Sequence, residues 1–231
     1  MPLLLNIDTA TEHASVCLSA EGSILAMEKS ADQKNHASFI QPAIKKIMQA
    51  AGVSLQSIDS VAVTAGPGSY TGLRVGMATA KGLCYALQKP LILINTLEVM
   101  AYAAIVDEET KGKLETGNVL FCPMIDARRM EVFTALYNSS LQIITEPAAM
   151  VLDENSFAKT LQQNQIIFSG SGHAKFQKII NHPNAFFSTA VQHAGHLAVL
   201  AGRSFLQKKF ADIAYCEPFY LKEFFTKQQP L

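Results

Sequence analysis

Charge is scarce in this chain. Of 231 residues, 16% are charged and 49% are hydrophobic, against roughly 25% charged in an average soluble domain. That composition excludes disorder, collagen and coiled coil. Neither sign is in surplus, because 19 Lys and Arg balance 19 Asp and Glu. A protein that binds nucleic acid alone uses a basic surplus to displace counterions. Any RNA role here therefore borrows positive charge from a partner or from a local patch. No run of 18 or more apolar residues occurs, so no membrane span is expected. The opening MPLLLNIDTA lacks a basic n-region and is interrupted by Asp8, so no signal peptide is expected either. Cys17, Cys84, Cys122 and Cys216 are scattered and form no CxxC. Buried free thiols in a reducing, cytoplasmic setting are the expectation.

What is present reads as α/β. The length suits one large domain or two small ones and buries a core without disulfides. Residues 3–8, 14–20 and 23–28 read as strands, the last two joined by a hairpin at Glu21-Gly22. Ile40, Ala43, Ile44, Ile47, Met48 and Ala51 fall on one helical face, which Gly52 ends, with Pro42 inside expected to kink or delay the helix. A strand at 60–64, a helix over 71–87, a strand at 91–94 and a helix over 96–106 follow. The polar stretch 107–117 is the linker candidate. The pattern then repeats. Strands at 118–126 and 130–137 flank a turn at Ala127-Arg128-Arg129, and 141–151 reads as an edge strand because of Pro147. A helix over 153–163, a strand at 165–169, a short helix over 173–180 and a long one near 190–208 complete it, and the tail from Ala211 has no clear period. The expected division is an N-terminal lobe over 1–106 and a smaller C-terminal lobe over 107–231, with the last helix free to pack back on the first lobe. An antiparallel start followed by βαβ units, made twice, predicts a duplicated fold with mixed sheets.

The chemistry-bearing segment is Ala65-Gly66-Pro67-Gly68-Ser69-Tyr70-Thr71-Gly72, between a strand and a helix. Gly66 and Gly68 permit close backbone approach, and Ser69 or Thr71 can cap the helix. The spacing GxGxxxG is neither a dinucleotide nor a P-loop signature. It reads as a loop that contacts phosphate or as a tight turn that seats a packed helix. Within that helix Gly72, Gly76 and Ala80 form one row of small residues, and Ala78, Gly82 and Ala86 form another. Arg74 and Lys81 supply a narrow polar stripe. A second helix can approach such a surface closely, and an uncovered apolar face marks an interface.

The segments GPGSYTGLRVGMATAKGL, IDTATEHASVCLS, NHASFIQPAIKKIM and IDARRMEVFTALY, with the tail EPFYLKEF, resemble the TsaB family of bacterial tRNA threonylcarbamoyladenosine modification, formerly called glycoprotease-like. The resemblance implies the two-lobed fold of actin, sugar kinases and heat-shock ATPases. It implies a non-catalytic subunit that pairs with its catalytic paralogue TsaD, assisted by the ATPase TsaE. That assembly passes a threonylcarbamoyl group from its adenylate to the adenosine beside the anticodon, so tRNA is met only through the complex. In the family the two helices after the first hairpin form the partner surface. The expected partner-binding residues here are His36, Ile40, Ile44, Leu73, Arg74, Gly76, Met77, Ala80 and Lys81. Alone, the chain is expected to dimerise with itself.

The resemblance also sets catalytic requirements. TsaD carries an HxxxH metal pair on the helix after the fifth strand, where this chain has Thr96 and Met100, so no metal is expected. Nucleotide-binding members follow the second-lobe aspartate with glycines, whereas Asp126 is followed by Ala127-Arg128-Arg129. Arg128 and Arg129 remain available to a phosphate or a carboxylate. No cofactor is expected, a nucleotide at the partner junction being left open. Residual phosphate contacts, if any, fall on Gly66, Gly68, Ser69, Gly170 and Gly172. His193 and His196 share a helical face but lack a third ligand. Asp8 ends the first strand, where a structural role with Thr9 is favoured. The competing readings are an ATP-dependent phosphotransferase of the same fold and a metallopeptidase.

Overall fold

The computed structural model describes residues 2–32, 35–110 and 118–222. The first sheet contains β1 (Leu3–Asp8), β2 (Ala14–Ala20), β3 (Ser23–Ser30), β4 (Ser60–Thr64) and β5 (Leu91–Ile94), in the order β3-β2-β1-β4-β5. The second contains β6 (Val119–Asp126), β7 (Glu131–Asn138), β8 (Ile143–Val151), β9 (Gln165–Ser169) and β10 (Ala185–Phe187), in the order β10-β9-β6-β7-β8. The orders are the same when one is read backwards. In each sheet three antiparallel strands come first and two parallel strands are added beside the first of them. This is a duplicated α/β architecture with two mixed sheets.

The helices are α1 (His36–Ala51), α2 (Tyr70–Leu87), α3 (Thr96–Thr110), α4 (Ala158–Leu161), α5 (His173–Phe176) and α6 (Ala194–Leu206). Alternation along β1 assigns its two faces. Leu5 and Ile7 meet Ile40, Ile44, Ile47, Met77 and Ala80 of α1 and α2, whereas Leu4 meets Leu197, Leu200 and Ala201 of α6. The helix nearest the chain's end thus covers the first sheet. Helix α3 is apolar on all sides for a related reason. Its Leu97, Met100, Ala101, Ala104 and Ile105 pack on the second sheet, and Val99 joins the α6 side of the first. A helix enclosed by two layers has no solvent face to mark with polar residues.

Several elements differ from the sequence expectation. Helix α1 runs unbroken across Pro42. The helix expected over 153–163 shrinks to α4. Asp153 Oδ1 accepts from Asn155 N at 3.0 Å and from Ser156 Oγ at 2.9 Å, and Phe157 is left-handed at φ 65°. Short polar side chains there bind backbone that a helix would have used. The helix expected over 173–180 ends at Phe176, and the one near 190–208 begins at Ala194. Strand β10 carried no alternation long enough to show. The linker candidate 107–117 opens as the end of α3, and residues 111–117 lie outside the described residues.

The far face of the second sheet closes over Phe168, whose ring lies 5.0 Å from Phe176, 5.4 Å from Phe157 and 5.6 Å from Phe187. Phe168 is fully buried. Phe168→Ala should cost about 3–5 kcal/mol in denaturant unfolding, a loss that exposed Phe186 would not produce.

Candidate docking surface and interlobe cleft

Helix α2 is pressed onto the end of β1 by glycines four residues apart. A Cβ added at Gly68 would strike the Ala10 carbonyl oxygen, one at Gly72 the Thr9 carbonyl oxygen, and one at Gly76 the Thr9 hydroxyl. Three hydrogen bonds hold the approach. Ser69 N donates to Ala10 O at 2.7 Å, Thr9 Oγ1 donates to Gly72 O at 2.8 Å, and Ser69 Oγ caps the helix by accepting from Gly72 N at 3.3 Å. The row Gly72, Gly76, Ala80 therefore seats the helix on its own sheet.

That settles which residues face outward. His36, Ile40, Ile44, Leu73, Gly76, Met77 and Ala80, all expected on the partner surface, are buried within the chain. Ile40, Ile44, Met77 and Ala80 belong to the first core, so a charge at Met77 or Ala80 would disrupt the fold. The outer face of α2 carries Thr71, Arg74, Val75, Ala78, Gly82, Tyr85 and Ala86, with Tyr85 75% exposed and open space around Gly82. Among the described residues it is the second small-residue row, Ala78, Gly82 and Ala86, that is shallow and uncovered. Helix α1 shows Ala37, Gln41, Pro42, Lys45 and Gln49.

Arg74, one turn before Ala78 on that face, and Lys81 on its flank are both engaged by the chain's own tail. Lys81 Nζ donates to Cys216 O at 2.9 Å, and Arg74 Nε donates to Tyr220 Oη at 3.2 Å while its guanidinium sits 4.1 Å above the Tyr70 ring. Residues 211–222 form an irregular strap. Ala211 N donates to Leu91 O at 2.8 Å, Phe219 N to Ala65 O at 2.6 Å, and Lys222 Nζ reaches Glu131 of the second sheet at 2.6 Å. Of the tail EPFYLKEF, Glu223 and Phe224 lie outside the described residues. The aperiodic sequence of this strap gave no sign of its path, since its bonds are mostly backbone and long-range.

A cleft of about 660 Å³ opens between the lobes, walled by Glu12, the glycine loop, Asp126–Arg128, Phe133 and the strap. At the glycine positions named as phosphate contacts an added Cβ would meet protein. Gly66, at φ 117°, meets the Phe219 carbonyl; Gly170, at φ 86°, meets Met100 and the Met124 carbonyl; Gly172 meets Val132 and Met124. Ser69 is spent on the helix cap. Across the cleft Arg128 and Arg129 adopt left-handed φ of 69° and 50°, a conformation costing a side-chain-bearing residue about 1–2 kcal/mol. The turn is held by Lys175 Nζ, which donates to Asp126 Oδ1 at 3.1 Å, to Arg129 O at 3.0 Å and to Glu131 O. Arg128 N and Ser171 Oγ also bind Asp126, through its Oδ1 and its N–H respectively.

Thr96 and Met100, which the resemblance set against the metal pair, both make contacts within the chain. Thr96 exchanges two hydrogen bonds with Gly66, at 2.9 and 3.1 Å, and Met100 is buried beside Gly170. Burial raises the Glu98 carboxyl, against the pull of Lys209 and Arg203. Among the described residues no group of three His, Cys, Asp or Glu is placed to hold a metal. His193 and His196 stack at 3.8 Å and cap α6, burial lowering them to about 4 and about 3. Burial pushes Cys17 and Cys122 up to about 12 and Cys84 to about 11, away from thiolate reactivity.

Asp8 is fully buried. Its Oδ1 accepts from Thr64 Oγ1 at 2.9 Å and from Ala10 N at 3.3 Å, while Oδ2 has no protein partner. Burial raises its carboxyl from 3.8 to about 6, the two hydrogen bonds and nearby His36 pulling the other way. His36 Nε2 lies 2.8 Å from Thr11 O, so this imidazole ties the start of α1 to the turn after β1.

A family model described as TsaD, tRNA N6-adenosine threonylcarbamoyltransferase, matches residues 24–228. The tRNA threonylcarbamoyladenosine biosynthesis protein TsaB of Bacillus subtilis is 30% identical over 95% of this chain and 93% of its own length. The TsaB protein of Haemophilus influenzae is likewise 30% identical, over 95% of this chain and 93% of its own. A Pseudomonas aeruginosa crystal structure, described as similar to peptidase YeaZ, superposes with TM-score 0.82 at 26% identity, over 96% of this chain and all of that one.

Two stability measurements test this geometry. Gly72→Ala should destabilise by about 1–3 kcal/mol, because its methyl meets backbone, whereas Gly82→Ala should stabilise by about 1 kcal/mol through helix propensity alone. Equal effects in denaturant unfolding would refute the seating of α2. Asp8 has a raised native value, so its stabilising contribution is complete below pH 3.8 and is lost as pH rises through about 6. Relative to Asp8→Asn, the wild-type chain should gain about 1 kcal/mol between pH 7.5 and pH 5; a constant difference would show that Asp8 is not desolvated.

Proposed function

The chain belongs to the TsaB family, and on that premise we propose that it is a non-catalytic subunit of the bacterial machinery that makes threonylcarbamoyladenosine in tRNA. Its curated relatives are named for that biosynthesis. In this reading the chain pairs with a TsaD paralogue, with TsaE assisting, and the partner carries out threonylcarbamoyl transfer. The observation that carries the proposal is the outer row of α2. Ala78, Gly82 and Ala86 present a shallow apolar strip that the described residues leave uncovered. Small residues let a second helix approach closely, and its backbone and side chains then replace water over the strip. A match to a TsaD model across most of the chain supports a partner of related shape, whose corresponding helix would lie against this one.

The cleft supports a supporting role over a chemical one. Lys175 bonds Asp126 Oδ1 and the Arg129 carbonyl of the turn, and the carbonyls of Ala10 and Phe219 stand where side chains at Gly68 and Gly66 would go. With no net charge, the chain reaches tRNA through the assembly, where a partner supplies the cations. Free of the partner, the same strip pairs two copies of the chain.

Mixing the chain with its cognate TsaD should give a one-to-one complex by sedimentation velocity. Ala78→Asp, at an exposed position, should weaken that complex at least about tenfold with the melting temperature unchanged. Normal pairing by this variant would remove the docking assignment. Tight magnesium-dependent ATP binding by the isolated chain would favour the phosphotransferase instead.

A further inference from the structure

We propose that His193 and His196 form an acid-released clasp on the crossover from the second lobe to the first: while both rings are neutral they fasten the start of α6 to the first sheet, and a proton on either ring lets it go. The chain leaves β10, runs through 188–193 and enters α6, which covers the first sheet. Two bonds anchor this passage: Gln192 Nε2 donates to Thr11 Oγ1 at 2.6 Å, and Ala194 N donates to Ser15 Oγ at 2.8 Å. Ala194 and Ala198 pack on Cys17 of β2. The two imidazoles stand at the same turn. His193 Nδ1 accepts from Gly195 N at 3.1 Å, and His196 Nδ1 accepts from His193 N at 3.2 Å. The rings are stacked with their centroids 3.8 Å apart. A Cβ at Gly195 would meet both the His193 ring and Ile24 of β3, so the turn has no slack.

A backbone N–H can only donate, so both Nδ1 atoms carry a lone pair and both Nε2 atoms carry the proton. A proton added at either Nδ1 would face an N–H already aimed at it. That ring would stop capping the helix and would set a positive charge at the helix N-terminus, where the backbone dipole disfavours it. A second proton would stack two cations. Asparagine or serine makes the same cap without this liability; imidazole is the acceptor that titrates. The surroundings oppose the charged form. Lys29 of β3 acts on both rings, and burial adds to it. From α3 come Tyr102, edge-on to His196 at 6.2 Å with Arg203 over its ring, and Glu98, which feels Arg203 and Lys209. From β2 comes Cys17, and the turn after β1 carries Glu12 and His13, which line a small pocket with Val191 and Gln192. Asp8 of β1 is bonded to Thr64 and Ala10, and β4 and β5 bear no titratable side chain. Closure therefore holds both rings below the ordinary value of 6.5. Its contribution is complete above 6.5 and is lost as pH falls below it, because the released rings take up protons that the closed ones refuse.

The test is amide hydrogen exchange of the full-length chain over residues 188–200 at pH 7.5 and pH 5, corrected for the intrinsic pH dependence of exchange. The opening constant of this segment should rise at least about thirtyfold in the wild type, the effect of one imidazole that is protonated only when released. In the double variant His193→Asn, His196→Gln, which keeps an acceptor at both cap positions, it should stay level. The ring proton resonances of the two histidines, assigned by their loss in the single variants, should remain at their neutral positions down to pH 5. Ordinary titration of both rings near 6.5, or an equal rise in opening in the double variant, would overturn the clasp. Should the double variant not fold, the wild-type exchange and ring resonances decide alone: no rise, or ordinary titration, refutes the proposal.

Discussion

Three glycines set against two carbonyls and one hydroxyl organise the first lobe. Gly68, Gly72 and Gly76 bring α2 so close to Thr9 and Ala10 that no Cβ fits between them. Once that contact exists, the rotation of α2 about its axis is no longer free. Leu73, Met77, Ala80 and Cys84 must point into the core, and Ala78, Gly82 and Ala86 must point out. The surface offered to another molecule is thus a consequence of how the helix is seated on its own strand. The same contact closes the glycine loop over the turn that follows β1, and the strap seals its other side through Phe219.

The second organising feature is the sharing of helices between sheets. Helix α3 follows the first sheet in sequence but packs most of its length on the second, while α6 comes late and covers the first. The two lobes are therefore joined through a common apolar layer as well as through the strap. This arrangement limits how independently they can move. Across the cleft, the ammonium of Lys175 gathers the acceptors of the Asp126 turn and holds two arginines in left-handed backbone. The turn keeps its shape with the chain's own cation, and Arg128 and Arg129 are both exposed.

Much of this was visible in residue order. The hairpin at Glu21-Gly22, the amphipathic stripe of α1 and the β-branched run of β4 each carry a local signal whose cause is local: turn chemistry, a helical repeat, or a buried strand. The motifs GPGSYTGLRVGMATAKGL and IDARR pointed to the family before any coordinates did. Their neighbours did not reveal orientation. Two rows of small residues in α2 look alike in sequence, and the choice between them depends on Thr9 and Ala10, some sixty residues earlier. The aspartate and serine around 153–156 look like a helix start until their side chains are seen binding the backbone.

Local periodicity, turn residues and composition determined most of the element order, the mixed duplicated fold and the lack of a net basic surplus, because each depends on neighbours in the chain or on simple counts. Contacts between distant residues decided which face of α2 is free, where the tail runs, and that the glycines meet protein backbone. Those outcomes depend on steric exclusion and hydrogen bonds between segments brought together only by folding, and no window of sequence contains both partners.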